Sequence, residues 1–187
     1  MKDIVLRVGG LILAILLIVG GFLFWDSYRN KKLQELSYKE YEIRKLLQAG
    51  NYQKALELIK SFPSKDRNLH ALALSYELYL SLQGQKVEEK EVLKSIIEGI
   101  KDKELKSLYR ERYAYALFKG GDRQSALKEL SQIGEEDFNY PSSLLLKAQI
   151  LASEGKNKEA REAYEKLLKI APNSYFANVA QAMLSGD

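Results

Sequence analysis

The chain of 187 residues is long enough for one anchoring segment and one modest domain. It carries 29 basic and 25 acidic residues, and the formal net charge of +4 is spread along the chain instead of forming a basic run. This distribution is typical of solvated helix faces and argues against binding of nucleic acid. The sequence has no cysteine, which excludes disulfide bonds, thiolate metal sites and a thiol nucleophile.

The N-terminal region contains a long uncharged apolar run. Residues 1–7 form a short polar start, and residues 8–25 then contain no charged side chain. A helix over this run is about 27 Å long, close to the thickness of the hydrocarbon core of a bilayer. The run ends at Trp25, an aromatic of the kind enriched at membrane interfaces, and its last residues lack a small-x-small cleavage pattern. We therefore predict a short polar tail over residues 1–7 and an uncleaved transmembrane helix over residues 8–25.

The rest of the chain is predicted to be helical throughout. Residues 26–35 contain no strong helix breaker and are predicted to form a juxtamembrane helical linker, followed by a repeat domain over residues 36–187. There are only three prolines, and lysine, glutamate, leucine and alanine are abundant, which favours an all-α fold. Basic residues lie on both sides of the apolar run. Charge therefore does not decide the side of the domain, because long domains translocate largely regardless of it.

A turn followed by an amphipathic helix occurs three times, beginning at Gly50, Gly121 and Gly155. Five residues after each glycine comes a small residue: Ala55, Ala126 and Ala160. The glycine is predicted to end the preceding helix in the left-handed conformation, and the alanine to let two antiparallel helices approach closely. Gly121 and Gly155 are 34 residues apart, which is the period of a helix–turn–helix repeat.

The remaining helix pairs complete the array. The second pair begins at Asn68 and has Glu89 where the alanine is expected, so this repeat is degenerate. The third begins near Glu104 and the fourth at Pro141, a residue suited to a first helical turn. Residues 174–184 are predicted to form a final helix that covers the last apolar face. The expected domain is an α-solenoid of about four helix pairs plus a capping helix.

No catalytic residue, cofactor site or metal site is predicted. His70 is the only histidine, and the sequence has no phosphate-binding loop and no HExxH or calcium-loop pattern. Stacked helix pairs instead create a concave surface lined by the first helix of each pair. The residues predicted to line a peptide-binding groove there are Leu108, Glu111, Tyr115, Phe118, Ser142, Leu145 and Gln149. For Tyr115 and Phe118 the alternative of a buried core position remains open.

The fourth pair resembles a tetratricopeptide repeat. Its residues on the signature positions of that repeat are Leu144, Ala148, Leu151, Ala160, Tyr164, Leu167 and Pro172, and Lys147 departs from them. The resemblance extends over about residues 36–172 and is weakest in the second pair. Its repeat motifs are specific for the fold and say nothing about catalysis.

The whole layout is similar to the bacterial ancillary Sec-translocon subunit family. A short charged start and a single span ending in Trp-Asp-Ser-Tyr at residues 25–28 lead into degenerate repeats, with further likeness over residues 104–117 and 146–164. The ending, residues 172–187, departs and is typical of an ordinary repeat cap. The resemblance implies a single-pass protein of the bacterial inner membrane, with a short cytoplasmic tail over residues 1–7 and the repeat domain in the periplasm. The implied partners are translocon subunits, a periplasmic chaperone, unfolded client chains and the lipid bilayer, with no small-molecule substrate.

Two alternatives remain open at the level of the sequence. The domain would serve as a self-associating membrane scaffold that organises an envelope complex, or as a cytoplasm-facing repeat receptor. The second is left open by the basic residues that follow the apolar run. The sequence does not specify the partner, the peptide preference, the oligomeric state or the register of the second repeat.

Overall fold

The computed structural model describes residues 2–186, with side chains described from residue 17 onward. All the regular elements in this range are α-helices, which confirms the predicted fold class of the repeat domain. The predicted tail, residues 1–7, and the first half of the predicted span, residues 8–16, lie outside the described side chains. Among the residues that can be described, no helix is sufficiently long and apolar to cross a membrane.

The chain divides into two compact units, residues 1–63 and 64–187. The first unit contains helix α1, Lys2–Gln48, and helix α2, Tyr52–Lys60. Helix α1 continues through the predicted linker because nothing in that segment breaks a helix. The turn after it contains Gly50, which has φ of 70°, and α2 then packs back against α1.

The second unit contains seven helices within the described residues. They are α3 (Arg67–Leu82), α4 (Glu89–Gly99), α5 (Lys103–Lys119), α6 (Arg123–Leu130), α7 (Tyr140–Ser153), α8 (Asn157–Ile170) and α9 (Tyr175–Ser185). Each helix packs against the next, and α7 also contacts α5 and α9. The unit is therefore three helix pairs with α9 as the predicted capping helix, and α5 and α7 are neighbouring first helices.

Local sequence signals define where these helices begin and end. Gly84, Gly121 and Gly155 follow α3, α5 and α7 with φ of 79°, 87° and 73°, the left-handed conformation that only glycine adopts without steric cost. The side chains of Asp102 and Asp122 accept hydrogen bonds from the first-turn N–H groups of α5 and α6. The predicted positions of the turns are thereby confirmed.

The small residues of the repeat pattern lie where paired helices are closest. Ala114 on α5 and Ala126 on α6 are both 0 % exposed and belong to one core cluster with Leu117, Leu130 and Ile150. Ala148 on α7 and Ala160 on α8 occupy the same positions in the next core cluster, at 0 % and 3 % exposure. These values leave no room for a larger side chain, because protein interiors are close-packed.

The substitution Ala126→Leu tests this packing. The added atoms have no space between α5 and α6, so we expect the free energy of unfolding to fall by about 1–3 kcal/mol. Ala182→Leu is the matched control, because Ala182 lies on the exposed face of α9 and the same atoms there meet solvent. Urea-induced unfolding followed by circular dichroism measures both. Equal unfolding midpoints for the two variants would show that Ala126 does not set the distance between the helices.

Candidate functional site

An open groove of about 540 Å³ lies along α5 and α7 and is bordered by α9. Its lining residues are Leu108, Glu111, Arg112, Tyr115, Phe138, Asn139, Ser142, Leu145, Leu146, Gln149 and Phe176. The lining includes every residue that the sequence predicted for the groove except Phe118. The structure thus brings together residues from two successive repeats at one surface.

Helix α5 contributes one wall of the groove. Leu108, Glu111, Arg112 and Tyr115 recur at intervals of three or four residues and therefore share one face of the helix. Leu108 is 43 % exposed and Tyr115 is 51 % exposed, so both apolar surfaces are available from solvent. For Tyr115, the open alternative of a core position is therefore wrong.

Phe118 lies outside this groove, unlike the other residues that were predicted to line it. It lies one helical turn after Ala114, on the same face of α5, and packs against the core cluster that contains Ile133 and Ile150. Phe118 is therefore half-buried against this core cluster. A further aromatic residue of α5, Tyr113, also packs against core residues, and burial raises the pKa of its phenol.

The buried side chain of Asn139 forms the polar floor of the groove. It lies immediately before α7 and is 5 % exposed. Its Nδ2 donates to the carbonyl oxygen of Ser107 at 3.0 Å and to Oε2 of Glu111 at 2.7 Å. Its Oδ1 accepts from the Ser107 hydroxyl at 2.5 Å. Both N–H groups and the carbonyl oxygen of the Asn139 amide therefore form hydrogen bonds to α5. Asn139 thus orients the Glu111 side chain and is not itself a free hydrogen-bonding group for a ligand.

The turn that precedes Asn139 carries an exposed aromatic residue to the rim. Phe138 is 61 % exposed although it borders the groove. Its neighbour Asp137 is buried, accepts a hydrogen bond from the N–H of Gly134 at 2.7 Å, and pairs with Lys103 at 3.4 Å. These contacts fix the turn to the start of α5 and hold the phenyl ring outward. Sequence periodicity did not indicate either Phe138 or Asn139, since neither belongs to a periodic segment.

Helix α7 contributes the opposite wall. Gln149 lines it, and Leu145 faces the groove while also belonging to the core cluster between α7 and α8. The hydroxyl of Ser142 donates to the carbonyl oxygen of Asn139 at 2.9 Å, so it supports the first turn of α7. Phe176 of α9 extends the apolar surface at one end.

The two charged side chains of the groove differ in their pairing. The Nη2 of Arg112 lies 3.1 Å from Oε1 of Glu89, at the start of α4, and Arg112 thereby borders both this groove and a neighbouring hollow of about 640 Å³. Glu111 accepts its hydrogen bond from the neutral amide of Asn139. The groove thus contains one guanidinium that is already neutralised and one carboxylate that is oriented without being neutralised.

A second apolar hollow lies on the other side of α5. It has a volume of about 480 Å³ and is lined mainly by side chains of α3 and α5, among them Leu72, Leu105 and Tyr109. Leu72 is 40 % exposed and Leu105 is 49 % exposed. The first helices of three successive pairs therefore present apolar side chains on both sides of α5, as expected of the concave face of a repeat array.

The chemistry of this surface is suited to binding. Within the described part of the chain, no group of three or more histidine, cysteine, aspartate or glutamate side chains is placed to hold a metal ion. The groove lining contains no histidine and no serine activated by a base, because the hydroxyl of Ser142 is engaged by a backbone carbonyl. Apolar side chains with a few oriented polar groups are the usual composition of a site that recognises a ligand by shape.

A family profile described as "Tetratricopeptide repeat-like domain" matches residues 5–185. The chain belongs to the tetratricopeptide repeat-like domain family. A relative from Aquifex aeolicus (strain VF5), described as an uncharacterized protein, is 28 % identical over 189 aligned residues that cover 98 % of this chain and 95 % of the relative. The family assignment agrees with the repeat pattern of the sequence and with the helix pairs of the structure.

Two solved structures are similar in fold. They are crystal structures of nearly identical TPR-like repeats from a Podosopora anserina protein described as a kinesin light chain, one of them carrying a single substitution. They align with TM-scores of 0.55 and 0.54 at 18 % and 17 % identity, and each alignment covers 79 % of this chain and 82 % of the other. Repeats of this type are protein-interaction scaffolds and are typically non-catalytic, so the family implies a role in protein–protein interaction.

The substitution Asn139→Ala tests the polar floor. It removes the three hydrogen bonds that the buried amide makes to Ser107 and Glu111, and we expect the free energy of unfolding to fall by about 1–3 kcal/mol. The loss does not arise from helix capping, because the Asn139 side chain makes no capping hydrogen bond to α7. Asn173→Ala, in the exposed turn before α9, is the control and should change the free energy by no more than about 0.5 kcal/mol. Identical urea unfolding curves for both variants would mean that the buried amide does not hold α5 to α7.

Proposed function

We propose that this protein is an adaptor that binds a segment of another polypeptide in the groove between α5 and α7. The observation that carries the proposal is the combination of an exposed apolar rim with a buried, fully hydrogen-bonded floor. Leu108, Tyr115 and Phe138 are 43 %, 51 % and 61 % exposed around that floor. Exposed apolar side chains that surround a concave surface mark interaction sites, because a stable monomer gains nothing from leaving them in water.

A polypeptide fits this surface better than a compact small molecule. The groove is open to solvent, and a second apolar hollow lies across α5, so a ligand would have to extend over more than one helix. An extended or partly helical chain places side chains in successive hollows and is recognised through a few apolar anchors. The groove supplies such anchor positions on both walls, at Tyr115 on α5 and at Leu145 on α7.

We further propose that the N-terminal part of α1 anchors the protein in a lipid bilayer. The proposal is supported by the uncharged run over residues 8–25 and by the exposure of its described side chains. Four consecutive residues, Phe22, Leu23, Phe24 and Trp25, are each more than half exposed, and consecutive positions surround a helix. At the end of the run the ring centroids of Trp25 and Tyr28 lie 6.4 Å apart, and Nζ of Lys32 lies 5.4 Å from the centroid of the Tyr28 ring. Aromatic and lysine side chains of this kind are typical of a membrane interface.

The cellular setting that we propose rests on the sequence layout alone. The likeness to the ancillary Sec-translocon subunit family supports a single-pass protein of the bacterial inner membrane with its repeat domain in the periplasm. There it would associate with the translocon and with periplasmic chaperones, and assist newly translocated chains. Protease added to intact spheroplasts should then digest the repeat domain. Protection until lysis would favour the cytoplasm-facing receptor.

Binding of an unfolded client by the full chain in a neutral detergent tests the proposed function. The probe is a labelled, permanently unfolded protein, and the measurement is fluorescence anisotropy. Because truncation of an anchor in an interface costs more than about 1 kcal/mol, we expect Tyr115→Ala and Phe138→Ala each to weaken binding by at least about 5-fold. The matched control is Ile170→Ala at the end of α8, which removes an exposed apolar side chain away from the groove and should leave affinity unchanged.

Two outcomes would count against this function. Unchanged affinity in both groove variants would place the binding surface elsewhere. Absence of client binding, together with dimers or larger species in sedimentation, would favour the self-associating scaffold.

A further inference from the structure

The groove between α5 and α7 and the apolar hollow between α3 and α5 have more acidic than basic side chains at their borders. Apart from tyrosines, the ionisable side chains there are Asp102, Glu111 and Arg112. Arg112 is neutralised by Glu89 at 3.1 Å. The Asp102 carboxylate accepts the N–H of Leu105 at 2.9 Å, and that of Glu111 accepts from the Asn139 amide at 2.7 Å. Among the described residues neither of these two carboxylates has a cationic partner, so the groove and the hollow that contains Asp102 carry unbalanced negative charge. In the neighbouring hollow of about 640 Å³ the charges balance, with three glutamates against two lysines and Arg112.

Glu111 lies at the centre of the apolar wall. Leu108 is one turn before it and Tyr115 is one turn after it on the same face of α5. The hydrogen bond from Asn139 holds one carboxylate oxygen against the floor. A cation that approaches Glu111 therefore has an aliphatic surface on one side and an aromatic ring on the other. The alkyl stem of a lysine or arginine packs well on such surfaces while its charged end meets the carboxylate.

We infer that the groove selects polypeptide segments in which a lysine or arginine lies among apolar residues, with that cation paired to Glu111. The inference rests on the proposed function, because it specifies the chemistry of the segment bound at the same site. It also disfavours acidic segments and free carboxyl termini. A ligand carboxylate would be placed beside Glu111, and the guanidinium of Arg112 that borders the groove is already engaged by Glu89.

Three short peptides that differ at one position test this selectivity. Each has leucines on both sides of a central lysine, glutamine or glutamate, with an acetylated N-terminus and an amidated C-terminus so that terminal charges do not contribute. Binding to the full chain in a neutral detergent is followed by fluorescence anisotropy at low salt. We expect the lysine peptide to bind about 2- to 5-fold more tightly than the glutamine peptide, as for a partly exposed ion pair, and the glutamate peptide to bind most weakly. The difference should shrink as salt is added.

The variant Glu111→Gln separates charge from shape. Its side-chain oxygen still accepts the hydrogen bond from Asn139, so the floor stays intact while the negative charge is lost. The preference for lysine over glutamine should disappear. Glu162→Gln is the control, because Glu162 is exposed on α8 and its replacement changes the net charge equally without touching the groove. This control should keep the full preference.

The outcomes test the inferred selectivity and the proposed peptide-binding function separately. Equal binding of the three peptides, or a lysine preference that survives in Glu111→Gln, overturns the inference while the groove remains a peptide site. Binding of none of the three peptides, together with no binding of the unfolded client, overturns the proposed function and the inference with it.

Discussion

The hydrogen bonds of one buried amide hold the candidate groove together. Asn139 joins the start of α7 to Ser107 and Glu111 on α5, and thereby links the first helices of two successive repeats. A buried amide is costly unless its donors and acceptor are satisfied, and here all of them are. The arrangement fixes where the wall of α5 stands relative to the wall of α7. The groove between Tyr115 and Gln149 depends on that relative position.

The repeat architecture leaves this surface free for binding. Left-handed glycines end the helices, and buried alanines such as Ala114 and Ala126 let each pair pack closely. The core is therefore filled by the faces that meet inside and between the pairs. Leu108, Tyr115 and Phe138 contribute little to that core, since each remains more than two-fifths exposed. Their exposure costs solubility, and a function in protein binding accounts for it.

Much of the fold followed from sequence periodicity, whereas the floor of the groove did not. The spacing of glycines and alanines located the turns, and the apolar pattern located α2 to α9, because both features are local. Repeat register also placed Tyr115 on the concave face. The same reasoning assigned Phe118 to the groove, although it packs against the core cluster formed with the neighbouring helices. Periodicity along one helix cannot distinguish a face that a neighbouring helix covers from one that it leaves open.

Asn139 and Phe138 show a second limit. They lie in the turn between α6 and α7, where no periodic pattern assigns a role to a side chain. The partners of Asn139 are 28 and 32 residues earlier in the chain, so the hydrogen bonds arise only when the helices have packed. A phenylalanine within an otherwise polar turn, after Glu135, Glu136 and Asp137, was the available signal. An exposed aromatic residue in a polar turn of a repeat protein is therefore a candidate anchor for a bound partner.

The central claim is that a bound polypeptide lies between α5 and α7. Site-specific photo-crosslinking tests it most directly, with a benzophenone-bearing phenylalanine derivative placed in turn at Phe138 and at Ile170 of the full chain. Both positions are exposed, but only the first borders the groove. The crosslink to an unfolded client should form from position 138 and be absent from position 170. A crosslink that forms from position 170 and not from position 138 would contradict the claim.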